Sequence, residues 1–358
     1  MKLARSTAIL VTLALAAPAS AQISLAPPPA TTPVPPPEKG KAKPHAVTGK
    51  KEAQPAPKPS PSPSPSPAPA ATVIPAPPTD NSSVDLVFGA YQRGQYKTAF
   101  DLATVRAQGG DAKAMTMLGE LLSSGLGVKR DYAKAVEWYK RASDAGDREG
   151  MFALAMMRIA GRGGPVDKNE AVKLLASSAK LGEPKAAYNL ALLYLDGQTL
   201  PQDVRRAAEL LRQAADAGLP EAQYALATFY KEGTGVEKDV ERAVRLLQAA
   251  SLADNVDAEV EYAIALFNGT GTPRNPPAAV ALLRKAARQN SPIAQNRLAW
   301  VLINGMGAPV DKVEGFKWHL VAKSGGKGDP ELDKQLSELN ADDRARAEAS
   351  ARKWLGVK

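Results

Sequence analysis

Shifted against itself by 36 residues, the sequence aligns from Asp111 to Gly326 without an insertion. That register leaves few architectures open, because each short copy can bury its apolar face only against its neighbours. Gly125, Gly161, Gly197, Gly233, Gly269 and Gly305 share one column. Six residues later stand Asp131, Asp167, Asp203, Asp239, Asn275 and Asp311, and four beyond those Ala135, Ala171, Ala207, Ala243, Ala279 and Gly315. Upstream, Leu118, Leu154, Leu190, Leu226, Tyr262 and Leu298 form a column, each followed by a small residue: Gly119, Ala155, Ala191, Ala227, Ala263 or Ala299.

Apolar residues recur at i, i+3, i+4 and i+7 in both halves of each copy, which predicts two helices and no strand. The Leu-small pair belongs to the first helix, where the small residue lets the second helix approach. The glycine column ends that helix, since a left-handed cap costs glycine nothing. The Asp/Asn column is placed to accept backbone N–H bonds in the first turn of the second helix. In that helix the Ala column packs on the first helix, and Trp138, Leu174, Leu210, Leu246, Leu282 and Trp318 fill the groove. Gly146, Gly182 and Gly218, with Asp254 and Asn290 in the same column, close the copies.

The stretches Ala187-Tyr188-Asn189-Leu190-Ala191, Gly125-Leu126-Gly127-Val128-Lys129-Arg130-Asp131 and Lys134-Ala135-Val136-Glu137-Trp138-Tyr139-Lys140-Arg141-Ala142 resemble the Sel-1-like repeat, a relative of the tetratricopeptide repeat. The resemblance covers residues 111–326. It implies an all-α, right-handed α-solenoid of six tandem hairpins that binds a protein or peptide, with no cofactor and no catalytic or metal-binding residues. Two departures stand out. The third copy has Gln198-Thr199-Leu200 in place of the Gly-x-Gly-Val turn, and the fifth places Pro276-Pro277 at the start of its second helix, where the first turn tolerates proline. Disulfide-bonded members of the family carry paired cysteines, and this chain has none.

Both ends read as caps. Residues 81–110, with Tyr91, Gly94, Tyr96, Ala99 and Phe100, resemble one shorter tetratricopeptide-like hairpin that covers the first copy. Residues 327–358 contain two further helical stretches, Asp329 to Leu339 and Ala341 to Leu355, with Asn340 placed to cap the second. Polar caps keep a solenoid from stacking end to end.

Residues 1–21 read as an export signal: Lys2 and Arg5, then an apolar run from Ala8 to Ala17, then Ala19-Ser20-Ala21 before a cleavage site at Gln22. The run is about half the ~20 residues that span a bilayer as a helix. No cysteine follows it, which excludes a lipid anchor. The expected destination is the periplasm or the exterior. Residues 22–80 hold 19 prolines and few large apolar side chains, so they read as a disordered, polyproline-like linker. Its plainer reading is a solubilising spacer; the sharper one is a tether that threads the cell wall or binds it through its lysines. The net charge of +9 is dispersed rather than gathered on one face, and together with export this argues against a nucleic-acid partner.

The resemblance also identifies which side chains face the concave wall, built mainly from first helices. They stand two before and one after the Leu-small pair, and one turn further on. The first copy is polar there, with Thr116, Glu120, Ser123 and Ser124. The second and third carry Phe152, Met156, Ile159, Tyr188, Leu192 and Leu195. The fourth is mixed, with Tyr224, Thr228, Lys231 and Glu232; the fifth and sixth carry Val260, Ile264, Phe267, Asn268, Asn296, Trp300, Ile303 and Asn304. An exposed apolar stripe of this kind marks a contact surface, with Trp and Tyr its preferred anchors. The expected partner-binding set is therefore Phe152, Met156, Ile159, Tyr188, Leu192, Leu195, Tyr224, Ile264, Phe267, Asn296, Trp300 and Ile303, with Trp300/Ile303 and Met156/Ile159 as the leading pairs. The plainer alternative for each is packing between adjacent first helices.

Catalytic readings find little material. The two histidines, His45 and His319, are far apart, and the absence of cysteine removes thiol chemistry and Cys-based metal sites. His319 falls in the helical column of Tyr139, Leu175, Leu211, Leu247 and Leu283, which predicts a packing role rather than a general base. The repeated Gly-x-Gly turns lack the context of a nucleotide loop. The expectation is an exported interaction scaffold. Its plan is similar to that of bacterial periplasmic proteins that restrain sensor kinases governing exopolysaccharide and envelope responses. An envelope-assembly or secretion adaptor is the alternative, and a cell-wall or β-lactam hydrolase the remote one.

Overall fold

The computed structural model describes residues 82–357; the expected signal and linker, residues 1–80, lie outside them. The described residues form sixteen helices and no strand. A first hairpin comprises α1 (Ser82–Gln92) and α2 (Tyr96–Gln108). Six hairpins follow, which we number repeats 1 to 6: α3 (Ala112–Ser124) with α4 (Tyr132–Asp144), α5 (Arg148–Ala160) with α6 (Lys168–Lys180), α7 (Pro184–Asp196) with α8 (Val204–Asp216), α9 (Pro220–Glu232) with α10 (Val240–Leu252), α11 (Val256–Asn268) with α12 (Pro276–Arg288), and α13 (Pro292–Ile303) with α14 (Lys312–Ser324). The chain ends in α15 (Pro330–Ser337) and α16 (Ala341–Leu355). From α1 to α14 each helix packs on its sequence neighbours, the pattern of an α-solenoid, and α16 packs back on α14.

The repeated columns have the physical roles their residue types require. Asp131, Asp167, Asp203, Asp239, Asn275 and Asp311 each accept a backbone N–H from three residues on, at 2.8–3.2 Å. Gly125, Gly161, Gly197, Gly233 and Gly269 end their helices in the left-handed conformation; in repeat 6 that conformation falls at Gly305, one residue past the cap Asn304. Pro276 and Pro277 fall at the first positions of α12. Asp254 and Asn290, standing where other repeats have glycine, are the two non-glycine residues with positive φ among the described residues.

The core is a continuous seam of small residues and leucines. Leu118, Leu154, Leu226 and Leu298 are buried, and Ala135, Ala171, Ala207, Ala243 and Ala279 are buried beside them. Each buried leucine contributes roughly 1.5–3 kcal/mol against exposure. The column of Trp138 and Leu174 is only partly buried in repeats 1 to 5, whereas the next column, Tyr139, Leu175, Leu211, Leu247, Leu283 and His319, fills the interior. The second glycine of the turn has a separate purpose. A Cβ on Gly163 would collide with the Tyr132 carbonyl oxygen of the preceding repeat, so the turn seats directly on its neighbour.

Candidate concave interaction surface

On the first helices of repeats 1 to 4 the buried columns occupy one side and the columns of Thr116, Glu120, Ser123 and Ser124 the other, whereas in repeats 5 and 6 Val260, Phe267 and Ile303 of those same columns are buried. In repeat 1 this wall is polar and internally satisfied. Thr116 Oγ1 donates to Asp147 Oδ2 at 2.7 Å, and Ser124 Oγ donates to Glu120 Oε1 at 2.8 Å. The Tyr139 hydroxyl reaches Glu120 Oε2 at 3.3 Å and Ser123 Oγ at 3.2 Å. Burial, reinforced by the Glu120 carboxylate, holds that hydroxyl far above the usual tyrosine range.

Repeats 2 to 5 differ in character. Phe152, Met156, Ile159, Tyr188, Leu192, Leu195, Tyr224 and Ile264 are all half-buried. Phe152, Ile159, Tyr188, Leu195 and Tyr224 also give part of their surface to the central core cluster. Packing and exposure therefore coexist in the same side chains. The Tyr188 hydroxyl is raised by burial first and by the Glu221 carboxylate second. Tyr224 is pushed up to about 12, again by burial first, with Asp257 and Glu261 adding to it. Lys231 Nζ lies 3.1 Å from Glu261 Oε2, bridging α9 to α11.

Two expected contact residues are core residues instead. Phe267 is 8% exposed, with the Arg274 guanidinium 5.8 Å from its ring centroid. Ile303 is 6% exposed because Gly315, where other repeats have alanine, lets α14 settle onto it; a Cβ on Gly315 would stand 2.6 Å from Ile303 Cγ1. The neighbouring residues of repeat 6 are engaged by the chain's own continuation. Trp300 Nε1 donates to Asp329 Oδ2 at 2.8 Å, and Asn296 Nδ2 donates to the Lys327 carbonyl at 3.4 Å. The leading pair Trp300/Ile303 thus belongs to the seat of the C-terminal cap. No signal in the repeat columns foretold this, since Asp329 lies outside the periodic region.

His319 is fully buried, and its Nε2 lies 2.8 Å from Asp333 Oδ1 of α15. Asp333 also accepts from Lys323 Nζ at 2.8 and 2.9 Å. The histidine is a packing residue that fastens α15. Among the described residues no three His, Cys, Asp or Glu side chains converge as metal ligands, and no helix is long and apolar enough to cross a membrane.

The Sel1 repeat family model matches six times in succession, over residues 112–147, 148–183, 184–219, 220–255, 256–291 and 292–327. A comparison with curated proteins finds no match. Among solved structures, a Sel1 repeat protein from Oxalobacter formigenes is similar at 27% identity and a TM-score of 0.61, over 68% of this chain and 99% of that one. A protective antigen of uropathogenic Escherichia coli displaying an SLR fold superposes with a TM-score of 0.52 at 24% identity, over 76% of this chain and 68% of its own. With more than half its length matched by one family model in unbroken register, the chain belongs to the Sel1 repeat family.

Proposed function

We propose that this protein is an exported, non-catalytic scaffold that holds a protein or peptide partner against the first helices of repeats 2 to 5, and that it serves as a periplasmic regulator of envelope signalling. Sel1 repeats are scaffolds for protein–protein interaction, and the wall of repeats 2 to 5 has the composition such a role needs. The observation that carries the reading is the run of half-buried apolar and aromatic side chains Met156, Ile159, Tyr188, Leu192 and Tyr224 across three consecutive repeats. A stripe of this kind, left partly open to water, is the usual mark of a contact surface. Export rests on the signal-like residues 1–21.

Site-specific photo-crosslinking in intact bacteria tests this. A benzophenone side chain at position 192 should capture a partner, whereas one at the exposed Lys173 on the outer helix should not. Equal capture at both positions, or none at 192, defeats the groove reading. Recovery of a sensor kinase supports signalling; recovery of assembly factors transfers the role to an adaptor. Fractionation of the same cells should place the protein in the periplasm, and retention in the cytoplasm overturns the export assignment.

A further inference from the structure

We propose that the wall of repeats 3 to 5 receives a cationic, extended peptide whose lysine or arginine side chains, three residues apart, enter two niches one repeat apart: Tyr188 with Glu221, and Tyr224 with Asp257. The proposal rests on the groove reading above and names the chemistry of the occupant.

Three observations support it. First, the two niches share a plan one repeat apart: a half-buried tyrosine on one first helix and, 33 residues later, a carboxylate in the first turn of the next first helix, with Glu261 as a further carboxylate beside Tyr224 alone. Burial chiefly raises each tyrosine hydroxyl, and the carboxylate adds to it. Glu221 and Asp257 are exposed and take part in no ion pair among the described residues. An aromatic face beside an unpaired carboxylate is the arrangement that attracts an ammonium or guanidinium.

Second, the strip is acidic within a chain of net charge +9. In the outward columns of Lys113, Thr116, Met117, Glu120, Ser123 and Ser124, repeats 3 to 5 carry five carboxylates against two ammonium groups. Such a local reversal of sign selects cationic partners and speeds their encounter. Third, the wall already accepts an ammonium between two first helices, since Lys231 of α9 pairs with Glu261 of α11 at 3.1 Å.

Spacing selects the conformation of the occupant. Side chains of α9 and α11 meet at Lys231 and Glu261, and helices whose side chains meet in this way lie about 8–10 Å apart. An extended polyproline-type chain advances about 3.1 Å per residue, so every third side chain meets the next niche. Leu192, one turn beyond Tyr188 on α7 and half-buried, offers an apolar surface to the intervening residues.

Fluorescence anisotropy with the full chain and a labelled peptide of three Lys-Pro-Pro triplets provides the test. Saturable binding is expected, weakening with added salt, and falling about tenfold in the double variant Glu221→Gln/Asp257→Asn. A peptide of Glu-Pro-Pro triplets should not bind. Both substituted side chains are exposed, and matching circular-dichroism melts would confirm that the variant folds. Wild-type affinity in the double variant, equal binding of the acidic peptide, insensitivity to salt, or no binding of the lysine peptide each overturns the proposal. The groove reading fails separately, through loss of crosslinking at position 192.

Discussion

Glu259 is fully buried, and its carboxylate lies 2.7 Å from Lys285 Nζ. Gln289 Nε2 donates to both of its oxygens, at 3.2 and 3.1 Å, and Lys285 also holds Asp254 Oδ1 at 2.6 Å. This small network joins the start of repeat 5 to the end of its second helix. Removing the cation leaves a buried carboxylate without its counter-charge. Lys285→Ala should therefore lower stability by about 2 kcal/mol, the usual cost of a broken buried pair reduced because Lys285 is partly solvated. Restoration should come from an unexpected direction. In the column of Glu259, Gln223 and Gln295 donate their amides to the carbonyls of Ala215 and Ala287, at the end of the preceding second helix. Adding Glu259→Gln to Lys285→Ala should recover most of the loss in urea denaturation. A double variant no more stable than the single one would refute the account.

Gly119 and Tyr139 form a second coupled pair. A Cβ on Gly119 would collide with the tyrosine ring, whereas repeats 2 to 5 combine alanine there with leucine at the facing position, as in Ala155 with Leu175. Gly119→Ala alone should destabilise by about 1–3 kcal/mol through overpacking. Combined with Tyr139→Leu it recreates the pairing of the other repeats, and the two changes together should cost less than their sum. A thermal-melt double-mutant cycle with no coupling energy would refute this.

These pairs indicate how far the fold could be read in the sequence. Helices, turns and caps were legible because one residue type recurs wherever one geometry recurs: Asp131 and its equivalents accept the same N–H in every repeat. The columns proposed for the wall came from aligning the Leu-small pair on the family's columns, and Met156 and Leu192 of those columns are half-buried, opposite the buried leucines. One of its two errors arose where a repeat departs from the pattern. Gly315 in place of alanine drew α14 onto Ile303, and Phe267 went under the Arg274 side chain. The engagement of Trp300 by Asp329 was not legible, because a contact between a periodic residue and an aperiodic tail leaves no column to align.

The capping aspartates offer a quantitative check on the repeat as a unit. Asp203 accepts the Arg206 N–H at 2.9 Å and stands at the start of the strongly amphipathic α8, whose polar face carries Arg205, Glu209 and Arg212. Asp203→Ala should cost about 1 kcal/mol, with Asp203→Ser or Asn nearly neutral. Hydrogen exchange should show the loss concentrated at the N-terminal turn of α8 and its contacts with α7. Uniform loosening of all six repeats would mean that cooperativity along the solenoid exceeds the nearest-neighbour picture.

The C-terminal cap should respond to acid. Asp333 is held below the usual carboxylate range first by hydrogen bonds from Lys323, then by the one from His319. For a carboxyl depressed in the folded state, the stabilisation is complete above the unfolded value of about 3.9 and disappears as the pH falls through its lower folded value. Acidification below about pH 4 should therefore release α15, which is only eight residues long and otherwise held by Leu332 and by Asp329 on Trp300. The indole N–H resonance of Trp300 reports the event, because its partner Asp329 leaves with the helix. Asp333→Asn should shift that resonance towards its acid position at neutral pH and shrink the acid step, while the resonances of repeats 2 to 4 stay in place. An acid step of unchanged size in Asp333→Asn would place the sensitive group elsewhere.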